Sequence, residues 1–277
     1  MPGSKKISVK LKKFNFGMMN ETATVAMIAK RGSGKSFLIR DLLYNFRHIP
    51  VGTVICRTEA LNRFYKDYVP EPFIHYEYRD DIIEKVQKRQ RLIIDKTSSD
   101  PEYKDVDPHA FLLFDDMMYE TGWQKSDKMK DVIFNGRHSK LMTILSLQYA
   151  IGLNVGFRNN LDWVFIFKES ILANKKRLYD HYCGMFPNQA IFDAVLNAVT
   201  HDYGCLVVHN GAHSTRLVDQ VFWYRAEDRS AHPWRTCLDC FWEMGTEKED
   251  EDDDDDNDFS KPFVGRNQYQ VNVKRMS

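Results

Sequence analysis

At 277 residues, with 43% apolar and 28% charged residues, the chain can bury one full-sized core and is too apolar to be disordered throughout. No run of about 18 uncharged apolar residues occurs, and the basic start Met1 to Lys13 lacks the apolar block of a secretory signal, so no membrane span and a reducing cytosol are expected. The formal net charge of zero is segregated: Glu247 to Asp258 holds ten acidic residues and one lysine, a net −9 that leaves +9 on the rest.

Residues 1–20 read as a basic N-terminal extension, residues 21–244 as one folded domain, and residues 245–277 as an acidic, then basic, disordered tail. The domain opens on a buried strand, Thr24 to Ile28, followed by a polar glycine-containing loop and a helix with Leu38, Ile39, Leu42, Leu43 and Phe46 at helical spacing. Short apolar runs follow at Val51 to Cys56, Ala110 to Asp115, Met142 to Leu147 and Trp163 to Phe167. Between them, Asp80 to Leu92 reads as an amphipathic helix, Asp95 to Pro108 as an exposed loop, and Ser126 to Phe134 as a second helix. Helices are expected around Leu172 to Met185 and Gln189 to Val199, then strands at Cys205 to Val208 and Thr215 to Tyr224. Alternation of this kind implies an α/β fold with a mainly parallel, doubly wound sheet and helices on both faces.

The loop after the first strand reads Ala29-Lys30-Arg31-Gly32-Ser33-Gly34-Lys35-Ser36. A phosphate loop sits in this place, after a buried strand and at the start of a helix. Its glycines let backbone N–H groups curl around a phosphate, Lys35 supplies a point charge, and the Ser36 hydroxyl can coordinate Mg²⁺; Arg31, Gly32, Ser33, Gly34, Lys35 and Ser36 are the expected ATP-binding residues. The usual pattern begins with glycine, and Ala29 departs from it.

The run Phe111-Leu112-Leu113-Phe114 delivers Asp115 and Asp116 to the carboxyl end of a strand, where open α/β sheets bind ligands. Asp115 is expected to serve the Mg²⁺ ion and Asp116 to orient or deprotonate the attacking water. The next strand ends at Gln148, which can sense the γ-phosphate or hold the water. Ahead of that strand, Asn135-Gly136-Arg137-His138 reads as a turn, and Arg137 can serve as an arginine finger supplied by a neighbouring subunit.

Arg31 to Ser36, Leu112 to Met118, Gly136 to Gln148, and the Arg158-Asn159-Asn160 turn before Trp163 to Phe167 stand in one order. Together they resemble the poxvirus-type genome-packaging ATPases of large nucleocytoplasmic DNA viruses, within the FtsK–HerA superfamily of P-loop NTPases. The resemblance spans roughly Glu21 to Tyr224. It implies a RecA-like core, ATP hydrolysis at the subunit interfaces of a homo-oligomeric ring (pentamer or hexamer), translocation of double-stranded DNA through a central channel, capsid or other packaging partners, and residence in the host-cytoplasmic viral factory and the virion. It also matches Arg137 to a basic residue of the family motif, whereas Ala29 and Asp116 depart from the wider superfamily pattern.

Two other readings compete. A P-loop kinase or GTPase-type switch shares the phosphate loop, but the only string like a guanine-selecting motif, Asn174-Lys175-Lys176-Arg177, lacks the aspartate. A zinc module would need Cys237 and Cys240 with two of His209, His213 and His232, at spacings that fit no standard finger. Lys168, Lys175, Lys176 and Arg177 form a basic patch suited to a DNA channel or to an ordinary solvated helix face, and the acidic run can mimic DNA or simply solvate the chain end.

Overall fold

Runs that are apolar at successive positions must be covered on both faces, and five such runs make the middle of one sheet. The computed structural model describes residues 9–117, 122–149 and 152–244; the tail from residue 245 lies outside the described residues. Its strands are β1 (Lys12–Lys13), β2 (Thr24–Ile28), β3 (Val51–Cys56), β4 (Ile74–His75), β5 (Ala110–Asp115), β6 (Leu141–Leu147), β7 (Trp163–Ile166), β8 (Gly204–His209) and β9 (Val221–Arg225). Across the sheet they stand in the order β1-β9-β8-β7-β2-β6-β5-β3-β4. From β7 to β4 all neighbours are parallel, and β8 runs antiparallel to both β7 and β9.

The two-residue period of a strand sorts its side chains into two apolar layers. On β5, Ala110, Leu112 and Phe114 join one layer, while Phe111 and Leu113 join the other. The second layer is closed by Leu38, Ile39, Leu42 and Leu43 of α1 (Lys35–Asn45). A one-turn helix, α2 (Glu59–Asn62), follows β3. The first layer is closed by α3 (Asp80–Ser99), α4 (Asp127–Asn135), α6 (Leu172–Tyr182) and α7 (Gln189–Val199), with the short α5 (Val155–Asn159) ahead of β7.

The five apolar strands β2, β3, β5, β6 and β7 lie within a residue of their expected ends. The helix α7 has its expected bounds and β8 lies within a residue of its own, whereas three other stretches differ from expectation. Much of the stretch read as a loop, Asp95 to Pro108, is helical: α3 runs on to Ser99, and in its last turn Thr97, Ser98 and Ser99 satisfy their hydroxyls on the carbonyls of Ile94 and Asp95. Pro101 then starts a 3-10 turn in place of a further α turn. The run Thr215 to Tyr224 is split into a helical turn, α8 (Leu217–Gln220), and β9. Residues 12–19, within the stretch read as a basic extension, add β1 beside β9 and bury Phe14, Phe16 and Met19, with Phe14 edge-on to Trp163, Phe165 and Tyr224. No helix among the described residues is long and apolar enough to cross a membrane.

Candidate functional site

The loop from β2 to α1 needs left-handed backbone at two places, and glycine stands at both: Gly32 at φ +77° and Gly34 at φ +102°. Ala29 shows why the leading glycine is dispensable here. Its N–H donates to Leu147 O at 2.9 Å, so residue 29 continues the pairing of β2 with β6 and lies outside the turn. Helix α1 has neither a side-chain cap nor an acidic residue in its first turn. Its leading N–H groups and the positive end of its dipole therefore face the loop, ready for an anion.

The strands bearing the loop and Asp115 are not neighbours: β6 lies between them. Its Ser146 spans the gap, donating to Asp115 Oδ1, the oxygen that Lys35 Nζ also reaches at 3.0 Å. Tyr65 donates its hydroxyl to Asp115 Oδ2 at 2.8 Å. Cys56 stands beside Asp115 in the β3–β5 register, and burial followed by the charge of Asp115 pushes its thiol up to about 11. The same two causes push the Tyr65 hydroxyl well above its ordinary value, which keeps it a donor. Tyr65 is held in turn by Glu59, a buried carboxylate that accepts the N–H groups of Phe64, Tyr65 and Lys66 at 2.8, 2.7 and 3.1 Å.

Asp116 and Gln148 meet as their places on neighbouring strands suggest, with Gln148 Nε2 donating to Asp116 Oδ1. Asp116 sits in the left-handed region at φ +57°, which turns its carboxylate away from the course of β5. On the opposite flank of the loop, just past β7, buried Glu169 takes Lys30 Nζ at 2.5 Å, Ile171 N at 2.8 Å and Asn174 Nδ2 at 3.1 Å. Burial alone would raise the pKa of this carboxyl, but those three donors together hold it below its ordinary value.

Arg137 is not brought to this site. It lies in the turn between α4 and β6, where the parallel strands begin, and the seven residues of β6 put about 20 Å between it and Gln148. It pairs with Asp162 Oδ1, whose Oδ2 accepts Thr24 N at 2.8 Å, and 64% of the Arg137 side chain remains exposed. A role at the phosphate loop of its own chain is therefore ruled out by distance.

The basic patch is also smaller than expected. Lys175 is buried and donates to Asn197 Oδ1 at 3.0 Å, and Lys176 pairs with Asp180 on the same helix at 3.1 Å. Cys237 and Cys240 are free thiols, His209 stacks on Trp163 at 4.0 Å, and no cluster of three or more metal-ligating side chains exists among the described residues. Sequence reasoning passed over Tyr65, Glu59, Ser146 and Glu169. Of these only Ser146 carried a signal, as a hydroxyl inside an apolar strand.

The protein-family description "Poxvirus A32 protein" matches residues 11–176. A protein of Acanthamoeba polyphaga mimivirus is 39% identical over 221 residues, covering 79% of this chain and 78% of its own. A protein of Invertebrate iridescent virus 6 is 41% identical over 206 residues, covering 72% and 73%. Among solved structures, the genome packaging NTPase B204 of Sulfolobus turreted icosahedral virus 2 in complex with ATP-gammaS superposes with a TM-score of 0.50 at 16% identity, over 75% of this chain and 98% of that one. That last likeness is one of fold, that of a P-loop ATPase. The family match takes in the phosphate loop, Tyr65, Asp115, Asp116, Gln148 and Glu169, so it covers the site as well as the scaffold, and the chain belongs to the poxvirus A32 protein family.

Proposed function

We propose that this protein hydrolyses ATP to drive double-stranded DNA into a viral capsid, as a homo-oligomeric ring of five or six subunits built in the host-cytoplasmic viral factory. The observation that carries the reading is the convergence of Lys35, Ser146 and Tyr65 on Asp115, beside the Asp116–Gln148 pair, at the mouth of a loop shaped for phosphate. A family relationship to viral proteins supports it, as do the packaging NTPases whose fold the chain shares.

In this reading the leading N–H groups of α1 cradle the phosphates, and Lys35 gives up Asp115 for the incoming anion. Ser36 and Asp115 would hold a Mg²⁺ ion: a hydroxyl and a carboxylate are the hard oxygen donors it takes when it is shared with phosphate, and no larger protein cage is present among the described residues. When bound, the ion neutralises phosphate charge. Asp116 orients and deprotonates the attacking water, and Gln148 fixes the Asp116 carboxylate for that task. Arg137, too far from its own loop, acts across a subunit interface. The net +9 outside the acidic run suits a polyanion.

The test is ATP hydrolysis by purified full-length protein with and without duplex DNA, beside Lys35→Ala. Wild type is expected to turn over ATP, faster with duplex and with no phosphorylated small-molecule product, and Lys35→Ala to fall at least a hundredfold, on the order of a lost phosphate-stabilising charge. Equal rates for the two proteins would reject the site.

A further inference from the structure

Between α7 and β8 the chain holds two consecutive non-glycine residues in the left-handed region, Asp202 at φ +47° and Tyr203 at φ +61°. A bulky aromatic residue rarely takes that conformation, so the surroundings must impose it. They do so from both sides. Thr200, the residue at which α7 ends, is buried and its hydroxyl is tied back to Leu196 O at 2.7 Å. Gly204 then packs so closely that a Cβ there would lie 2.2 Å from Val199 O, which fixes the entry into β8.

The strain is not offset by burying the ring, since 67% of Tyr203 is exposed. What the turn achieves is placement. Strand β8 runs antiparallel to β7, so its first residue stands at the edge where β7 ends and where the phosphate loop lies. Tyr203 touches that loop: a Cβ built on Gly34 would be 3.1 Å from Tyr203 Cβ and 3.5 Å from its Cδ1.

The sheet order gives this contact a meaning. In the sequence β8-β7-β2-β6-β5, Tyr203 stands on one side of the loop on β2, and Asp115, Asp116 and Gln148 stand on the other. A nucleoside triphosphate carries its base at the end opposite its terminal phosphate. With that phosphate toward the carboxylates and the chain along Gly34 to Ser36, the side toward β7 and β8 is where the base has room to extend.

We propose that Tyr203 is the stacking platform for the base of the bound nucleotide. The proposal rests on the reading of the loop as a nucleotide site. Stacking on a phenol ring tolerates any base, so Tyr203 contributes affinity without choosing between ATP and GTP.

The experiment measures dissociation constants for ATP and for inorganic tripolyphosphate, which has the phosphates and no base. The proteins are wild type, Tyr203→Asn, Tyr203→Phe and Tyr203→Trp. Asparagine accepts left-handed backbone and removes the ring without inviting misfolding. Tyr203→Asn is expected to weaken ATP and GTP alike by about tenfold and to leave tripolyphosphate within about twofold of wild type. Tyr203→Phe should match wild type, and the emission that Tyr203→Trp adds to that of the five native tryptophans should respond to ATP and not to tripolyphosphate. Unchanged ATP affinity in Tyr203→Asn, equal weakening of both ligands, or tighter ATP binding would each overturn the proposal; the last two outcomes would make Tyr203 a shaper or a guard of the loop. A wild-type protein that binds neither ligand would defeat the nucleotide reading itself, whereas one that binds both equally would defeat only the platform.

Discussion

Asp115→Asn keeps the shape of the side chain and removes its charge, so it isolates what the donors around Asp115 require. Lys35 and Ser146 donate to Oδ1 and Tyr65 to Oδ2, and Lys35 has no capacity to accept. An asparagine must therefore point its oxygen at Lys35 and its NH₂ at Tyr65, whose hydroxyl has to turn and accept. One charge-assisted hydrogen bond is inverted and an ion pair falls to an ion–dipole contact. Hydrogen bonds to charged groups contribute about 1.5–3 kcal/mol each. The ion pair adds to this, at less than its fully buried worth, because 16% of Lys35 and 13% of Asp115 remain exposed. The expected loss is about 3 kcal/mol, which for a folded unit of this size lowers Tm by roughly 6–12 °C. Thermal unfolding by circular dichroism at neutral pH without nucleotide reads it directly, and Tyr65→Phe, which removes one arm only, should show about half. A Tm for Asp115→Asn within about 1 °C of wild type would refute the idea that these donors are organised around a carboxylate.

Asp116→Asn retains both the left-handed backbone and an oxygen for Gln148, so Tm should stay within about 2 °C while turnover falls about a hundredfold and ATP binding stays near normal; loss of binding would move Asp116 from the water to the metal. Mixing Arg137→Ala with Lys35→Ala should restore hydrolysis, because only an interface between the two mutants joins an intact loop to an intact guanidinium, and activity of Arg137→Ala alone would end the trans assignment. His75 is pushed down to about 4 by burial and then by the cation of Arg79, with Asp81 opposing and Lys85 adding to the fall. The unfolded imidazole takes up a proton below about 6.5 and the folded one does not, so about 2–3 kcal/mol of stability should drain away as pH falls from 6.5 towards 4. Denaturant titrations from pH 7.5 to 4.5 measure this, and His75→Gln should flatten the slope; an equal slope in the variant would show that other groups carry it.

The middle of the sheet was readable because β2, β3, β5, β6 and β7 are buried on both faces and leave unbroken apolar runs in the sequence. The two-residue strands β1 and β4 leave no run and no alternation, and both lie at the sheet's ends. The lateral order of strands is not written in the chain order, and for that reason Ser146 was passed over: only with β6 between β2 and β5 does a hydroxyl on that strand reach Asp115. Lys35, Asp115, Asp116 and Gln148 announced themselves through spacing and strand ends. Tyr65 could not, since it lies 50 residues from Asp115 in a stretch without periodicity, and only the folded chain makes its hydroxyl a partner.

In the proposed ring, Arg137 would have to leave its ion pair with Asp162 to reach a neighbour, and that pair opposes the move only weakly. A pair whose arginine is 64% exposed contributes at most about 1 kcal/mol. An arginine finger accelerates phosphoryl transfer by roughly 10³ to 10⁵, or about 4–7 kcal/mol at the transition state. Leaving Asp162 would therefore cost a small fraction of what a neighbour's γ-phosphate would return in the proposed ring. Asp162 does not become an orphan when the arginine departs, because Thr24 N still holds its other oxygen. That bond joins the residue just ahead of β7 to the first residue of β2, so the edge keeps its order in either state of Arg137. Under the proposed trans role, one guanidinium would alternate between a contact in its own chain and a contact in the next, and the strands that position the phosphate loop would not be loosened.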